Sequence, residues 1–478
     1  MSAVAGGEPF AAVAETHSAV VFFAGDRAYK LKKPVDLGFL DFVSPRARAV
    51  ACRRETELNR RFAPDVYLGV AEIRAPGGGV CDHLVVMRRM PASRRLSALV
   101  TARAPVDGAL RQVARGLAAW HAAAPRSPQI AAQGGQDALR ARWQANITQA
   151  RESCGHLLQD AGLEEIEQLA GRFTAGRGPL FTGRIRTGRV VDGHGDLLAD
   201  DIFCLPDGVR ILDCLDFDDN LRWLDGLDDA SFLAMDLQRL GAPDLAHRFT
   251  SWYAEYSGDP APPSLRHHYV AYRAFVRAKV ACLRARQGDG QAAAEAWQLA
   301  GMTLGHLRAG AVTLVLIGGP PGTGKTTLAG ALADRLGFTV LSSDRIRKEL
   351  AGVPAEQRCA ASWGAGIYAA ACTERVYAEL LGRTRRLLGL GESVIVDASF
   401  IFPAQRAAAA AAAAAAHADL VQLRCAAPAE VAGQRLAART GGISDADADI
   451  ARQMAAVEAP WPEAVASTPA SPARARPR

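Results

Sequence analysis

Residues 318–327, GGPPGTGKTT, constrain the fold of this 478-residue chain more than any other segment. They contain G-x-x-x-x-G-K-T, the spacing of a phosphate-binding loop (P-loop). An apolar run, VTLVLIG, comes directly before the loop, and LAGALADRL, with apolar residues at helical spacing, follows it. In such a unit the glycines let backbone N–H groups surround phosphate oxygens at the start of a helix. The pattern therefore predicts a strand, a P-loop and a helix that bind a nucleoside triphosphate.

The loop also supplies side chains for the phosphates and for a metal ion. We expect Lys325 to reach the β- and γ-phosphates and the hydroxyl of Thr326 to hold Mg²⁺, so the predicted cofactors are ATP and Mg²⁺. The residues expected to contact the nucleotide are Gly319, Pro320, Pro321, Gly322, Thr323, Gly324, Lys325, Thr326 and Thr327.

Two later segments place carboxylates beside this loop. The runs FTVLSSD and SVIVDAS read as strands and lead to Asp344 and Asp397. Because ligands lie beyond the carboxyl ends of parallel strands, both side chains should reach the same edge as the P-loop. Asp344 is then placed to accept a proton from a substrate hydroxyl, and Asp397 to act on Mg²⁺ directly or through water. No Glu follows Asp397, which favours phosphoryl transfer over hydrolysis for mechanical work.

Arg435 and Arg439 are one helical turn apart and precede the polar segment TGGISDAD. This arrangement predicts a lid that brings arginine to the transferring phosphate.

Residues 311–464 resemble the P-loop small kinases, which include zeta toxins, gluconate kinase and polynucleotide 5′-kinases. The likeness is carried by GGPPGTGKTT, SSDRIRKEL and VIVDASF. It implies that Asp344 is the general base, that Arg347 contacts the substrate, and that Arg435 and Arg439 are the lid arginines.

A second group of candidate residues lies in residues 190–217, VVDGHGDLLADDIFCLPDGVRILDCLDF. IFCL and VRIL flank the turn PDG, which predicts a hairpin. An antiparallel hairpin returns the chain to its starting edge, so Asp196 and Asp213 should be neighbours. Phosphoryl transfer needs such a pair, one carboxylate to take the hydroxyl proton and one to hold Mg²⁺.

Lys30 and Glu55 are the predicted phosphate-positioning pair of this second site. Lys30 lies in RAYKLKK, one of three strand-like runs near the start of the chain, and Glu55 lies in the helical segment RRETELNRR. Lys32 shares a strand face with Lys30 by period-two alternation, so either lysine could pair with Glu55.

This half resembles the aminoglycoside phosphotransferase branch of the protein-kinase-like fold, and in particular bacterial proteins that fuse such a domain to a P-loop domain. The likeness runs through ETHSAVVFFAGDRAYKLKKPVDLGFLDF, ETELNRRFAPDVYLGV, HGDL and FDDNLRWLDGLDDASFLAMDL, and MRRMP would follow the hinge that contacts adenine. It implies that Asp196 is the catalytic base and Asp213 a Mg²⁺ ligand. It also implies architectural roles for Arg222, Asp225 and Asp229.

Two residues depart from that family pattern. Asp201 stands where the family has Asn, and Leu198 stands where it has His. Asp201 can still ligate Mg²⁺, but it adds a negative charge where phosphate oxygens also lie. A degenerate kinase-like half is therefore the alternative to an active one.

Together these features predict a mixed α/β and α+β protein. A kinase-like two-lobed domain (residues 1–308) precedes a P-loop kinase domain with a parallel sheet (309–464) and a disordered tail (465–478). The predicted reaction moves the γ-phosphoryl of ATP to a hydroxyl of a small molecule. The alternatives are a regulatory ATP-binding protein whose kinase-like half senses a ligand, and a nucleic-acid 5′-kinase.

Composition narrows the remaining classes. The net charge of +6 is small for this length and forms no dense basic stripe with aromatics, which disfavours a nucleic-acid partner. Nine scattered cysteines without a C-x-x-C pair predict reduced thiols rather than a disulfide framework or a zinc site. No signal peptide or membrane-spanning run is recognisable, so a cytoplasmic location is expected. The sequence specifies neither the acceptor nor the oligomeric state.

Overall fold

The computed structural model of the chain describes residues 9–15, 18–36, 42–154, 158, 162–357, 359, 364–438 and 445–467. These residues form two compact units. The first unit takes its residues from 1–163, 183–261 and 269–305, and the second from 164–182, 262–268 and 306–478. The predicted domain boundary at residue 308 stays a prediction. Packing places two short segments that precede it, residues 164–182 and 262–268, in the second unit.

An antiparallel sheet opens the first unit, as the strand-like runs near the start predicted. Its five strands are ordered β1-β2-β3-β5-β4, and a Gly25–Asp26 turn joins the second and third. The strands are β1 (Ala11–Glu15), β2 (Ala19–Ala24), β3 (Arg27–Lys32), β4 (Tyr67–Arg74) and β5 (Val80–Arg88).

Helix α1 (Pro45–Asn59) packs on this sheet. The hydroxyl of Ser44 caps its first turn by accepting from the backbone N–H of Ala47 at 3.1 Å, and Pro45 occupies the first helical position. The core between helix and sheet consists of Ala28, Cys52, Ala63, Val66, Tyr67, Val85, Met87, Met90 and Phe203. This packing fixes α1 against β4 and β5, with Glu55 among its buried residues.

Helices dominate the chain from there to residue 309. They are α2 (Leu96–Thr101), α3 (Asp107–Ala123), α4 (Pro128–Ala132), α5 (Gln136–Ser153), α6 (Leu163–Gly176), α7 (Gly178–Arg186), α8 (Asp219–Arg222), α9 (Gly226–Arg239), α10 (Pro243–Ser257), α11 (Pro263–Arg286) and α12 (Ala292–Ala309). Two short antiparallel pairs lie among them: β6 (Val190–Asp192) with β9 (Trp223–Asp225), and β7 (Ile202–Leu205) with β8 (Gly208–Ile211). The second pair is the hairpin predicted from IFCL-PDG-VRIL.

A parallel sheet forms the centre of the second unit, as predicted from the P-loop pattern. Its order is β11-β12-β10-β13-β14. The strands are β10 (Thr313–Gly318), β11 (Thr339–Ser342), β12 (Val394–Asp397), β13 (Asp419–Cys425) and β14 (Val465–Ser467). The tail prediction was wrong for residues 465–467, which pair with β13; residues 468–478 lie outside the described part.

The helices of the second unit's C-terminal part are α13 (Lys325–Leu336), α14 (Ser343–Ala351), α15 (Ala370–Gly389), α16 (Pro403–Ala415), α17 (Ala429–Ala437) and α18 (Ala448–Val457). Apolar side chains of β10, α13 and β12 form a core centred on Val315, Ile317, Ala329 and Ile395. The ten-alanine run lies almost wholly in α16, as its helix propensity predicts. Among the described residues, no helix is long and apolar enough to cross a membrane.

Candidate active sites

The P-loop adopts a conformation that requires its glycines. Gly319, Gly322 and Gly324 have φ angles of 125°, 81° and 97°, in the region that other residues avoid. A Cβ on Gly319 would lie 2.2 Å from the carbonyl oxygen of Cys425, and one on Gly322 would lie 2.7 Å from that of Ala432. The loop therefore combines positive φ angles with close backbone packing, and it ends at the start of α13.

The predicted Mg²⁺ ligands Thr326 and Asp397 are in direct contact. The hydroxyl of Thr326 donates to Oδ2 of Asp397 at 2.7 Å, and the Asp397 carboxylate is buried. Asp397 reaches this position because it ends β12, which pairs in register with β10, the strand that leads into the loop. Lys325, the first residue of α13, donates from Nζ to the carbonyl oxygen of Pro320 at 2.9 Å. The structure thus brings these three residues to one edge of the sheet; their roles stay predictions.

Asp344 shares a cavity of about 640 Å³ with these residues, a size within the usual range for small-molecule sites. Its position differs slightly from the prediction, since β11 ends at Ser342 and Asp344 is the second residue of α14. Ser342 pairs with Asp397 across the two strands, so the predicted shared edge is present. Of the predicted loop residues, those lining the cavity are Pro321, Gly322, Gly324, Lys325, Thr326 and Thr327.

Arg347 lies one turn beyond Asp344 and also lines this cavity. Its side chain is buried, and Nη1 donates to the carbonyl oxygen of Ile367 at 2.8 Å and to Oγ1 of Thr373 at 3.1 Å. The guanidinium lies 4.8 Å from the centre of the Tyr368 ring. No carboxylate among the described residues forms an ion pair with it. Arg347 is therefore a fixed positive charge next to Asp344.

Several cavity residues could not be found from the sequence. The lining also includes Thr373, Glu374, Tyr377, Phe402 and Gln405, which come from α15, α16 and the residue before α16. Tyr368 is held by its hydroxyl, which donates to Oδ2 of Asp445 at 3.1 Å, and the buried ammonium of Lys348 lies 3.2 Å from Oδ1 of the same carboxylate. These contacts join residues 77 or more positions apart, with no periodic signal to predict them.

Only one of the two predicted lid arginines lies in the described part of the chain. Arg435 lies in α17, outside the residues that line the cavity. Arg439 lies outside the described residues. Their proposed action on the transferring phosphate stays a prediction.

In the first unit, Glu55 binds both candidate lysines. Nζ of Lys30 lies 2.9 Å from Oε1 of Glu55, and Nζ of Lys32 lies 2.8 Å from Oε2. Lys30 also contacts Oδ1 of Asp213 at 3.0 Å, whereas Lys32 is buried and pairs with Asp216 at 2.9 Å. Lys30 is therefore the lysine that faces the predicted metal ligand, and Lys32 is its buried neighbour.

Electrostatics keep this network charged. Burial would lower the pKa of Lys30, but Asp213 and Glu55 raise it well above its usual value. Burial would raise the pKa of Glu55, but the two lysines lower it. Lys30 also lowers the pKa of Asp213. The Lys30–Glu55 pair is thus fully ionised at neutral pH.

The pKa values of the other two predicted carboxylates of this site are raised above their usual values. Burial raises the pKa of Asp196 to about 6, against the charge of Arg277 and together with that of Asp213. Burial, then the charges of Asp213 and Asp196, raise the pKa of Asp201 well above its usual value. The charge of Asp213 thus acts on both carboxylates, and the predicted pairing of Asp196 with Asp213 stays a prediction. Asp213 itself adopts a left-handed φ of 63°.

Asp229 holds the loop that carries Asp196. Its carboxylate accepts from the backbone N–H groups of His194 at 2.7 Å and Gly195 at 2.9 Å, and contacts Nε2 of His121 at 3.0 Å. Burial opposes ionisation, but these hydrogen bonds lower the pKa of Asp229 to about 2. The other two residues expected to be architectural also form ion pairs, Arg222 with Asp192 and Asp225 with Arg184.

Neither site contains a preformed cage for a metal ion. Among the described residues, no group of three or more His, Cys, Asp or Glu side chains is arranged to hold one. Mg²⁺ in nucleotide sites is bound by one or two protein oxygens, with phosphates and water completing the shell. Thr326 with Asp397, and Asp213 with Asp201, are oxygen donor sets of that kind. The residues present therefore fit Mg²⁺ held jointly with a nucleotide.

Comparison with known proteins agrees with this geometry. A family model described as an AAA domain matches residues 314–460, which contain the P-loop, Asp344 and Asp397. Over 454 residues the chain is 46% identical to uncharacterized protein Rv2004c of Mycobacterium tuberculosis and to uncharacterized protein Mb2027c of Mycobacterium bovis. The alignment covers 95% of this chain and 91% of each relative. The chain belongs to the family of these mycobacterial proteins.

Solved structures similar to this family member fall into two groups. A choline/ethanolamine kinase family protein of Mesorhizobium loti matches at 15% identity and a TM-score of 0.37, over 64% of this chain and 94% of that one. A gluconokinase of Sinorhizobium meliloti matches at 18% identity and a TM-score of 0.23, over 32% and 81%. The predicted P-loop domain agrees with the match of the family model and with the parallel sheet that carries the loop. In the first unit an antiparallel sheet carries the Lys30–Glu55 pair, and its assignment to the kinase-like fold stays a prediction.

Proposed function

We propose that this protein is an ATP- and Mg²⁺-dependent phosphotransferase that moves the γ-phosphoryl of ATP to a hydroxyl of a small molecule at the P-loop site. The observation that carries the proposal is the contact between Thr326 and Asp397 in the same cavity as Lys325 and Asp344. A phosphate-binding element, an oxygen donor pair and a separate carboxylate are the parts that phosphoryl transfer requires.

Each residue then has a distinct task. The loop amides and Lys325 bind the phosphates, and Thr326 and Asp397 would hold Mg²⁺, which supplies charge neutralisation for the phosphoryl oxygens. Asp344 accepts the proton of the acceptor hydroxyl as the oxygen–phosphorus bond forms and ADP leaves. Arg347 neutralises negative charge next to that hydroxyl.

The remaining lining of the cavity supports a small acceptor. Tyr377, Phe402, Ile450 and Met454 contribute aromatic and apolar surface to the cavity, and Gln405 contributes a hydrogen-bonding group. Such a mixture of apolar surface and few polar groups is typical of small-molecule sites. A cytoplasmic location remains part of the proposal.

The direct test is to find the product. Purified protein is incubated with γ-³²P-labelled ATP and a metabolite extract, and the labelled compounds are separated. We expect one labelled product class, reduced about 10²-fold or more by Lys325→Ala and unchanged by Lys279→Ala, a lysine bonded to Asn146 and Gln149 away from both sites. Product formation that is equal in the Lys325→Ala variant and the parent would exclude the P-loop site as its source.

The first unit supports a second candidate function, either a second transfer site or an ATP sensor. The observation that favours it is the charged Lys30–Glu55–Asp213 network beside Asp196. Mg²⁺-dependent ATP binding is measured in the Lys325→Ala variant, with and without Lys30→Met. Residual binding that requires Lys30 supports a working site in this unit, and labelling lost on Asp196→Ala marks it as catalytic rather than sensory. Absence of residual binding supports a degenerate half.

Transfer to a nucleic-acid 5′-hydroxyl remains the alternative acceptor class. Because phosphate contacts release counterions, oligonucleotide binding that weakens steeply with salt would favour it. Labelling of oligonucleotide ends at a rate equal to or above that of any metabolite would replace the small-molecule proposal.

A further inference from the structure

A small cavity in the second unit lies apart from the P-loop. Its volume is about 20 Å³, enough for a single water-sized species. It is bounded by α6, the segment after it, the first turns of α11, the end of α12, and the residues that enter β10 and β13. The polar and charged side chains of its lining include those of Arg172, Arg177, Ser264, His268, His306 and Asp419.

Arg177 is the buried cation of this cavity. Its side chain is 1% exposed, and Nη1 donates to the carbonyl oxygens of Gly176, Leu388 and Ala416, each at 2.8 Å. Nε is buried without a hydrogen-bond partner. Among the described residues, no acceptor bonds to Nη2 and no carboxylate forms an ion pair with the guanidinium. Three of its five N–H groups are therefore left without a protein acceptor.

The surrounding groups do not compensate this charge. Asp419, the carboxylate on the cavity wall, is bonded to Arg172 at 2.6 Å. The hydroxyl of Ser264 donates to the carbonyl oxygen of Gly391 at 2.6 Å. His268 stacks on Phe173 with 4.2 Å between ring centroids, which brings a second basic side chain to the same wall. The wall therefore carries one unpaired positive charge.

The histidines remain neutral in this arrangement. Burial, then the charge of Arg177, lower the pKa of His268 to about 3. Burial, then His267, lower the pKa of His306 to about 4. Burial also lowers the pKa of Arg177, to about 10, which still leaves it protonated at neutral pH.

An unpaired buried charge is costly unless a counter-charge reaches it. The space beside Arg177 is too small for a phosphate or an organic carboxylate, and a water molecule could accept a hydrogen bond but would bring no charge. We propose that this cavity binds one small monovalent inorganic anion of chloride size, held by the free N–H groups of Arg177. This site is independent of the phosphotransferase proposal and goes beyond it.

The anion would stabilise the second unit. Arg177 already joins the segment after α6 to the ends of α15 and α16 through the carbonyl groups of Leu388 and Ala416. Any species that binds the folded state and not the unfolded chain raises the melting temperature with its concentration. Chloride or bromide should therefore stabilise the protein, whereas an anion too large for the cavity should not.

The first experiment uses the unmodified full-length protein. Melting is compared in sodium chloride and in sodium methanesulfonate at equal ionic strength, and ³⁵Cl line broadening is recorded on titration with protein. We expect chloride to raise the melting temperature by about 2–4 °C and to show broadening in excess of free chloride. Bromide-soaked crystals should show one anomalous peak beside Arg177. Equal melting in both salts, with only water at this position in the bromide map, would overturn the proposal.

Variants then assign the site. Arg177→Met should remove the chloride-specific melting shift and the excess broadening. Arg308→Met is the matched control, because this exposed arginine of the same unit is bonded to Glu165 and should keep both signals. Retention of both signals in folded Arg177→Met protein would also refute the assignment. If Arg177→Met does not fold, Arg177→Lys, which keeps the charge but loses the guanidinium N–H groups, should weaken chloride binding several-fold.

Discussion

The two candidate sites are built in opposite ways. At the P-loop, ten consecutive residues supply the phosphate-binding amides, the lysine and the threonine, and a strand in register adds Asp397. In the first unit, Lys30 and Asp213 meet although 183 positions separate them, and Glu55 arrives from a third element. A site built from one segment can therefore be recognised in the sequence, whereas a site assembled from distant segments depends on how those segments pack.

The sites also differ in how their carboxylates are balanced. Asp397 accepts a hydrogen bond from Thr326, and Asp344 lies near the fixed charge of Arg347. In the first unit, burial and the charge of Asp213 raise the pKa values of both Asp196 and Asp201, and the charge of Asp196 adds to the effect on Asp201. A cation is therefore more strongly required there.

The largest effect is expected at the P-loop base. Asp344→Asn should lower product formation by about 10²–10⁴-fold while ATP affinity stays within about twofold, because the carboxylate acts on the acceptor rather than on the nucleotide. Single-turnover labelling and ATP titration measure the two quantities. Glu374→Gln, which changes another carboxylate that lines the same cavity, is the control and should retain most activity. Equal losses in both variants would remove Asp344 from the role of base.

We expect Lys32 to stabilise the folded state through its buried ion pairs. Lys32→Met leaves Glu55 and Asp216 without their shared ammonium in a buried position, so unfolding by urea should require about 3 kcal/mol less free energy. Lys33→Met, whose partner Glu15 is exposed, should change the free energy of unfolding by less than about 1 kcal/mol. A stable Lys32→Met protein with weakened ATP binding would instead make Lys32 the nucleotide lysine.

Asp196 should weaken the folded state at high pH. Its pKa in the folded state is about 6, above the unfolded value of about 3.9. The stability that this carboxyl contributes is therefore complete below about pH 4 and is lost as the pH rises through 6. Asp196→Asn should raise the free energy of unfolding by about 2 kcal/mol at pH 8 in the absence of Mg²⁺. The gain should vanish near pH 4; a gain independent of pH would contradict this account.

The smallest effect concerns the helix that carries Glu55. Ser44→Ala removes the cap of α1 and should lower the free energy of unfolding by about 1 kcal/mol. P-loop labelling should stay unchanged, since Ser44 lies in the other unit. Ser127→Ala, which uncaps α4 in the first unit, provides a matched comparison that leaves α1 intact.

Local sequence patterns predicted much of the fold and of the P-loop site. The P-loop, the 202–211 hairpin and the α1 segment follow from spacing, turn residues and capping, which act within a few positions along the chain. Alternation placed Lys30 and Lys32 on one face, but only the structure shows that the two oxygens of Glu55 bind one lysine each.

Contacts between distant segments cannot be predicted from local spacing, turn residues or capping. Asp216 with Lys32, Tyr368 with Asp445, and Arg177 with the ends of α15 and α16 depend on how elements pack. Strand ends were also imprecise: Ser343 and Asp344 begin a helix rather than end a strand, and residues 465–467 join the sheet because β13 offers a free edge. The lid role given to Arg435 and Arg439 stays a prediction.

Helix α14 has a consequence for how this protein family could change its substrate. Asp344, Arg347 and Lys348 all lie in one nine-residue helix, and Lys348 is bonded to Asp445. The proposed base and the proposed neutralising charge would therefore stay together as a single rigid piece. Under this proposal, new acceptors would arise through exchanges elsewhere in the cavity lining, at Thr373, Tyr377 and Phe402.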